Sequence, residues 1–190
     1  FRSCSLVGRL SRSPTIVSLR GADVSNLSGS SLQRLLCRIC LRLAASVTTV
    51  SSGMRDAILR EFPQYADKVV FIPNGVDKEL LDLPCASPTG DALRILYVGS
   101  LISRKRVADL VEALHMLGGQ HTLSIVGDGP EHSALKTLTS RLGLQERVNF
   151  IGAISPEDVA ATIGQHDVLV LPSRSEGRPN VVVEAMAAGR

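Results

Sequence analysis

The sequence predicts an α/β fold in which helices cover both faces of parallel sheets. Short runs rich in Val, Ile and Leu alternate along the chain with helical segments of about 10–12 residues, which is the pattern of repeated βαβ units. Of the 190 residues, 44% are apolar and 21% are charged, so packed cores are expected. No apolar run approaches the ~20 residues that cross a bilayer. Only 3% of the residues are aromatic, which argues against a nucleic-acid stacking surface.

The first half of the chain is predicted to hold three strands and two helices. The strands are expected at Thr15–Leu19, Val47–Val50 and Val69–Ile72, and the helices at Ser31–Ala44 and Met54–Glu61. Ser51 and Ser52 precede the second helix and are suitable N-cap residues. Proline, glycine and weak periodicity mark residues 77–92 as a linker. The sequence therefore predicts one domain within residues 1–76 and a second over residues 93–190.

The second domain repeats the strand and helix alternation four times. Strands are expected at Arg94–Val98, Thr122–Val126, Val148–Ile151 and Asp167–Leu171, and helices at Val107–Leu117, Glu131–Leu142, Pro156–Gly164 and Pro179–Ala188. Ligands of such sheets bind beyond the carboxyl ends of the strands. The loops at Gly99–Lys105, Gly127–Pro130 and Pro172–Asn180 are therefore expected to line one site.

Charge is distributed unevenly between the two halves. Residues 1–61 hold nine Arg and three acids, whereas the remaining residues hold twelve Lys or Arg and fifteen acids. Arg34, Arg38 and Arg42 recur every four residues and would form one positive stripe on the predicted helix. The stripe is either a solvated helix face or a surface that contacts anionic lipid headgroups.

Cysteine and histidine usage gives no metal signature. Cys37 and Cys40 have the C-x-x-C spacing, but no second pair of ligands follows at the spacing of a zinc site. On a helix they are expected to face the core, and the four histidines are expected to be structural or exposed. The sequence predicts a cytoplasmic protein, peripheral at the inner membrane face if the arginine stripe binds lipid.

The loop and helix over residues 173–189 carry the clearest chemistry. Glu176 lies in a strand-to-helix loop, Pro179 opens the helix, and Glu184 follows eight residues after the first carboxylate. The N–H groups and dipole at a helix start favour an anion such as phosphate. Carboxylates near such a site would accept hydrogen bonds from sugar hydroxyls, so this segment predicts binding of a phosphate-linked sugar.

This segment resembles the E-x(7)-E region of the family 4 glycosyltransferases. Four further motifs resemble that family in the same order: Ile72–Asp77, Tyr97–Lys105, Ile125–Glu131 and Val148–Gly152. The resemblance covers roughly residues 72–189 and is looser over residues 15–61. It implies two Rossmann-like domains in the GT-B arrangement and transfer of a sugar, with retention of configuration, from a nucleotide-diphospho-sugar to an unknown acceptor.

The resemblance also implies roles for individual residues. Lys105 would neutralise the donor diphosphate, Glu176 would hold the transferred sugar, and Glu184 would bind ribose hydroxyls. Glu176 and Lys105 are the implied catalytic residues, and the implied donor-binding residues are Gly99, Ser100, Lys105, Gly127, Gly129, Glu176, Gly177, Asn180, Val181 and Glu184. No divalent metal, cofactor or nucleic acid is implied, and the acceptor is a glycan or a lipid-linked sugar.

The chain departs from the family pattern at three positions. Ser100 replaces an Arg that contacts phosphate, and Arg104 or Arg106 would be a substitute at a position that does not match. Arg20 replaces a His that is common beside the reacting carbon, and Arg178 replaces an aromatic residue. A nucleotide-sugar epimerase of the same architecture and a nucleotide-sugar-binding module without turnover are the alternatives. The chain begins with Phe1 and ends within a helical pattern, so we expect a fragment that is inactive by itself.

Overall fold

The computed structural model describes residues 13–20, 31–76, 78–82, 90–176 and 178–190. The chain divides into two compact units. One unit comprises Phe1–Gly75 with Glu176–Arg178, and the other comprises Val76–Ser175 with Pro179–Arg190. Each unit is described separately below.

The first unit is a parallel three-stranded sheet with two helices. Its strands β1 (Ile16–Leu19), β2 (Ser46–Thr49) and β3 (Val69–Phe71) lie in that order, and its helices are α1 (Ser31–Leu43) and α2 (Ser52–Glu61). Val17 pairs with Val47, which pairs with Val69. The Ser51 side chain accepts a hydrogen bond from the Met54 N–H at 3.2 Å and caps α2, as predicted.

The second unit is a parallel four-stranded sheet in the order β6-β5-β4-β7. Its strands are β4 (Arg94–Val98), β5 (Thr122–Val126), β6 (Val148–Gly152) and β7 (Val168–Leu169). Its helices are α3 (Val107–Leu117), α4 (His132–Arg141), α5 (Pro156–Gly164) and α6 (Asn180–Ala187). Every strand pair is parallel, which confirms the predicted βαβ architecture.

Alternating residues of β4 and β5 enter two cores on opposite faces of this sheet. Tyr97 and Ile125 pack with Val111 of α3 and Leu135 of α4. On the other face, Leu96, Val126, Ile163, Ala185 and Ala188 form a smaller core with Leu80. Strand side chains alternate between faces, so the nearly continuous apolar runs of β4 and β5 reflect helices packed on both sides.

Most of the element bounds differ from the predictions by one or two residues, and the main differences concern β7, the start of α6 and three unpredicted 3-10 segments. β7 pairs only through Val168 and Leu169, so it is shorter than the predicted Asp167–Leu171. Pro179 precedes α6 in an extended conformation, whereas we predicted that the helix would begin with it. Three 3-10 segments were not predicted; they lie at Pro63–Lys68, Lys78–Asp82 and Ser103–Lys105. Such segments are too short to produce a recognisable hydrophobic period in the sequence.

Arg94 and Asp167 link the starts of the neighbouring strands β4 and β7. The Asp167 carboxylate accepts hydrogen bonds from the Arg94 backbone N–H at 2.8 Å, from Nε at 3.1 Å and from Nη2 at 2.6 Å. Its side chain is only 3% exposed. These hydrogen bonds stabilise the charged form and lower the pKa of Asp167 from 3.8 to about 2, which more than offsets the effect of burial.

Candidate functional site

Three loops at the carboxyl edge of the second sheet contact one another through their backbones. They follow β4, β5 and β7, which are neighbours in the sheet. The Leu101 N–H donates to the Asp128 carbonyl at 2.9 Å, and the Glu131 N–H donates to the Leu101 carbonyl at 3.0 Å. The Arg174 N–H donates to the Arg104 carbonyl at 2.9 Å. The structure therefore brings together the three loops that we expected at the carboxyl ends of these strands, the third of them up to residue 175.

Gly127 and Gly129 allow the first two loops to approach closely. A Cβ added at Gly127 would overlap the carbonyl oxygen of Gly99, and one at Gly129 would overlap the carbonyl oxygen of Leu101. Gly127 also has a φ of 126°, which disfavours other residues. Glycine is therefore required at both positions by the packing of the two loops, and the predicted contact of these residues with a donor stays a prediction.

Tyr97 supports the first loop from below. Its ring is fully buried, and its hydroxyl donates to the Ser100 carbonyl at 3.0 Å. A Cβ at Gly99 would lie 2.9 Å from that hydroxyl, which is too close for any side chain. Gly99 and Ser100 are therefore held by the ring of a core residue, while the Ser100 side chain is exposed.

Lys105 lies at the end of a short 3-10 turn, Ser103–Lys105, and is half-buried. Its N–H donates to the Ile102 carbonyl at 2.8 Å. The next residue, Arg106, has left-handed backbone angles (φ 53°, ψ 40°) and precedes α3. The sharp reversal at Arg106 ends the turn and starts the helix, so the position of Lys105 is set by backbone geometry on both sides.

Helix α6 carries three of the predicted residues. Asn180 begins the helix and is exposed, Val181 packs against the smaller core, and Glu184 is half-buried one turn further on. The preceding Pro179 provides no side-chain cap. A helix start of this kind favours an anion, although the Val182 N–H already donates to the Pro179 carbonyl at 3.2 Å.

Glu176 and Gly177 are not placed together with the other candidate site residues. Glu176 is half-buried and belongs to the first compact unit, whereas Lys105 belongs to the second. Gly177 lies outside the described residues. The shared use of one ligand by Lys105, Glu176 and the start of α6 stays a prediction.

Two further features of the carboxyl-edge loops were not predicted. The Ser173 Oγ is buried without a hydrogen-bond partner among the described residues, which is costly unless water or a ligand satisfies it. Arg104, Arg106 and Arg174 line a cavity with Ser103. Four arginines within residues 104–106 and 174–178 could have indicated this cavity from the sequence. Which of them line it depends on the backbone geometry of the loops, which the sequence does not show.

The described residues contain no group of three or more His, Cys, Asp or Glu side chains that could hold a metal ion. His121 Nδ1 accepts a hydrogen bond from the Leu93 N–H at 3.0 Å, and His166 is 9% exposed with Nδ1 2.7 Å from the Thr162 carbonyl. Cys40 is buried and Cys37 packs against the core of the first unit. These contacts give the two histidines and both cysteines structural surroundings, as the sequence predicted.

Comparison with known proteins identifies one family and one fold. Residues 87–190 match the family described as glycosyl transferases group 1. The lipopolysaccharide 1,6-galactosyltransferase of Salmonella typhimurium is 30% identical over 154 residues, covering 79% of this chain and 42% of that enzyme. The chain spans less than half the length of the first curated relatives it matches.

Two solved structures share the fold over nearly the whole chain. Anabaena HepE, solved in complex with UDP and glucose, superposes with a TM-score of 0.81 at 24% identity, covering 98% of this chain and 54% of HepE. The sucrose-phosphate synthase of Thermosynechococcus elongatus superposes with a TM-score of 0.76 at 26% identity, covering 97% and 52%. Both resemblances span the two units described above.

Proposed function

The chain belongs to the group 1 glycosyl transferases, and on that premise we propose that it transfers a sugar from a nucleotide-diphospho-sugar to an acceptor with retention of configuration. The bond between the anomeric carbon and the diphosphate oxygen breaks, a bond to an acceptor oxygen forms, and the acceptor loses a proton. The family match over residues 87–190 is the observation that carries the proposal. The UDP and glucose bound to the structural relative HepE support this class of donor.

Positive charge at the carboxyl edge would stabilise the leaving group. Negative charge grows on the diphosphate as the sugar departs, and fixed donors stabilise it without reorganising. Lys105 and the N–H groups at the start of α6 are the proposed donors, so no divalent metal is required. Lys105 is held between a 3-10 turn and the reversal at Arg106, which favours such a fixed position.

Two carboxylates would bind the sugars of the donor. Glu176 is proposed to hold hydroxyls of the transferred sugar and Glu184 to bind the ribose. The half-buried position of Glu184 on α6 leaves part of its side chain accessible. Gly99, Ser100, Gly127, Gly129, Gly177, Asn180 and Val181 are proposed to complete the donor site through backbone and shape contacts.

Donor binding and turnover test this assignment. We would measure UDP affinity of the chain by calorimetry and UDP release by the complete protein supplied with UDP-glucose and other nucleotide-sugars. Lys105→Ala is expected to weaken UDP binding about tenfold, as loss of a charge-assisted contact does, and Glu184→Ala to weaken it by a smaller factor. The matched controls Lys136→Ala and Glu146→Ala remove exposed charges elsewhere in the second unit.

The outcome that would overturn the site is specific. If no nucleotide-sugar is turned over and both Lys105→Ala and Glu184→Ala bind UDP as tightly as the parent chain, these residues do not form a donor site. UDP binding without turnover of any donor would instead point to a binding module.

We also propose that α1 contacts an anionic membrane surface. Its arginine stripe (Arg34, Arg38 and Arg42) is exposed. The apolar residues Leu32, Leu35 and Ile39 on the same helix are 64%, 53% and 40% exposed. Exposed apolar side chains beside basic ones are typical of helices that lie in a lipid headgroup layer. One of the three charges is already paired, since Arg34 donates to Glu61 at 2.6 Å.

Vesicle sedimentation tests the membrane proposal. No helix in the described ranges has the length and apolar character needed to cross a membrane, so any association measured would be at the surface. Binding to vesicles with 30% anionic lipid should fall about fivefold in the double variant Arg38→Gln/Arg42→Gln. Each basic residue near an anionic surface contributes ~1 kcal/mol to the binding free energy, and the variant loses part of that contribution. The control Arg55→Gln removes an exposed arginine of α2. Equal binding to neutral and anionic vesicles would contradict the proposal.

A further inference from the structure

A cavity of about 520 Å³ in the second unit is lined by Ser103, Arg104, Arg106 and Arg174. All four residues are exposed, so a solute can reach them. The lining does not include Lys105, Gly99 or Gly127, the residues proposed to contact the donor. The cavity lies on the same loops, and its lining shares no residue with the proposed donor contacts.

Hydrogen bonds join the two loops that carry Arg104 and Arg174. The Arg104 Nη1 donates to the Ser175 carbonyl at 3.0 Å, and the Arg174 N–H donates to the Arg104 carbonyl at 2.9 Å. These two bonds tie the loop after β4 to the loop after β7. The Arg104 side chain is therefore held by a hydrogen bond before any ligand binds, which lowers the entropic cost of binding through it, whereas Arg174 is positioned through its backbone.

Charge in the cavity is only partly balanced. Arg106 forms an ion pair with Asp109 in the first turn of α3. The cavity lining holds three guanidinium groups and no carboxylate, and Asp109 pairs with only one of the three, so positive charge is in excess there. Like charges gathered around a concave surface raise its potential and concentrate anions there. The start of α3, which follows Arg106 without a side-chain cap, adds the positive end of a helix dipole.

Arg106 adopts its backbone conformation at a cost. Among the described residues it is the only one other than glycine with a positive φ, and the left-handed region costs an L-residue about 1–2 kcal/mol. A glycine there would avoid this cost, but it would also remove one of the three guanidinium groups. Strain of this kind is concentrated at functional sites, and the side chain it supports here is one that lines the cavity.

We propose that this cavity binds a phosphoryl group carried by the second substrate, distinct from the diphosphate of the donor. The planar guanidinium fork fits phosphate oxygens in pairs, and a phosphoryl group of charge −1.5 to −2 near neutral pH matches the local charge. A single carboxylate would leave most of that charge unbalanced. The role as a second-substrate site rests on the proposed glycosyl transfer, whereas the binding of phosphate does not.

The experiment uses inorganic phosphate and UDP as separate probes of the 190-residue chain. Phosphate is titrated at low ionic strength, since salt screens exposed charges, and amide and arginine side-chain signals are followed by NMR. Phosphate should shift the signals of Ser103, Arg104 and Arg174. Arg174→Gln should raise the Kd for phosphate about tenfold, as removal of a charge-assisted hydrogen bond does, while the Kd for UDP changes less than twofold.

Two further variants separate binding from folding and from the donor site. Arg106→Gly should weaken phosphate binding by a similar factor while raising the Tm, so loss of binding would not reflect misfolding. Lys105→Ala should weaken UDP binding and leave phosphate binding unchanged. The control Arg141→Gln removes an exposed arginine of α4 and should alter neither.

Each other result would overturn the inference in a distinct way. If Arg174→Gln and Arg106→Gly leave the phosphate Kd unchanged, the cavity is not a phosphate site. If both variants weaken UDP and phosphate in the same proportion, the cavity belongs to the donor site instead. If UDP binds nowhere but phosphate binding still depends on Arg174, the proposed glycosyl transfer fails while the anion site stands.

Discussion

Arg106 shows how a single residue can oppose the stability of the fold that surrounds it. Its φ of 53° is one that glycine adopts at no steric cost. We predict that Arg106→Gly stabilises the second unit by about 0.5–1 kcal/mol, because relief of the left-handed strain exceeds the loss of an exposed ion pair. Urea unfolding followed by circular dichroism measures the change. Arg104→Gly is the matched control and should destabilise, since Arg104 has no positive φ; stabilisation by both variants would refute the strain argument.

Two buried threonines allow a second test at the residue scale. The Thr49 hydroxyl is buried without a hydrogen-bond partner among the described residues, whereas the Thr139 hydroxyl donates to the Leu135 carbonyl at 2.9 Å. Valine has nearly the same shape as threonine but no hydroxyl. We predict that Thr49→Val raises the free energy of unfolding by about 1 kcal/mol and that Thr139→Val lowers it by about 1 kcal/mol. Thermal unfolding of both variants would decide, and a destabilised Thr49→Val would mean that this hydroxyl has a partner.

At the scale of elements, the close approach of two loops limits what residues 127 and 129 can be. Their added Cβ atoms would overlap backbone carbonyls, which cannot move aside as side chains do. We predict that Gly127→Ala and Gly129→Ala each destabilise the second unit by about 2–4 kcal/mol. Gly143→Ala is the control: it has a φ of 69° but no atom near its added Cβ, so about 1 kcal/mol is expected. Equal losses in chemical denaturation for all three variants would show that the loops are not in close contact.

The pairing of β4 with β7 should depend on pH through Asp167. The pKa of Asp167 is lowered to about 2 in the folded protein, first by the Arg94 side chain. A lowered folded pKa contributes stability above the unfolded pKa of 3.8 and loses it as the pH falls towards about 2. We predict that Asp167→Asn lowers the free energy of unfolding by on the order of 2 kcal/mol at pH 7.

Unfolding measured from pH 6 to pH 2 tests this sign. The difference between Asp167→Asn and the parent chain should shrink as the pH falls from about 4 to about 2. Asp109→Asn is the comparison, because its ion pair with Arg106 is exposed and worth at most about 0.5 kcal/mol. A difference that stays constant over this range would show that the Asp167 charge contributes nothing.

At the scale of the whole molecule, each described core draws its residues from one compact unit. Ile58 is 1% exposed in the core of the first unit, and Leu123 is fully buried in the second. We predict that Ile58→Ala and Leu123→Ala each cost about 2–5 kcal/mol, and that each lowers amide-exchange protection chiefly in its own unit. Hydrogen exchange read by mass spectrometry resolves the two. Loss of protection over the whole chain in either variant would show a single cooperative unit instead.

The sequence by itself determined the α/β class, the parallel sheets and membership of the group 1 glycosyl transferases, while family 4 in particular stays a prediction. The bounds of β4, β5, α3 and α5 agree with prediction, because apolar periodicity and turn residues act locally. Five ordered motifs predicted a member of a glycosyltransferase family with a GT-B fold, and the comparisons confirm the family at the level of group 1 and the fold. The donor, the retention of configuration and the roles of Lys105, Glu176 and Glu184 remain predictions, since they concern a bound ligand.

Only the tertiary structure decided which loop residues share a surface. Nothing in the residue pattern shows that Arg104 and Arg174, which are 70 positions apart, lie on one surface. Sheet order places β4 beside β7, and two hydrogen bonds then join their loops. Likewise, the carbonyl of Gly99, in the loop after a neighbouring strand, occupies the space that a side chain at Gly127 would need. Local sequence sets backbone preference, but contacts between distant segments depend on how the strands are ordered in the folded sheet.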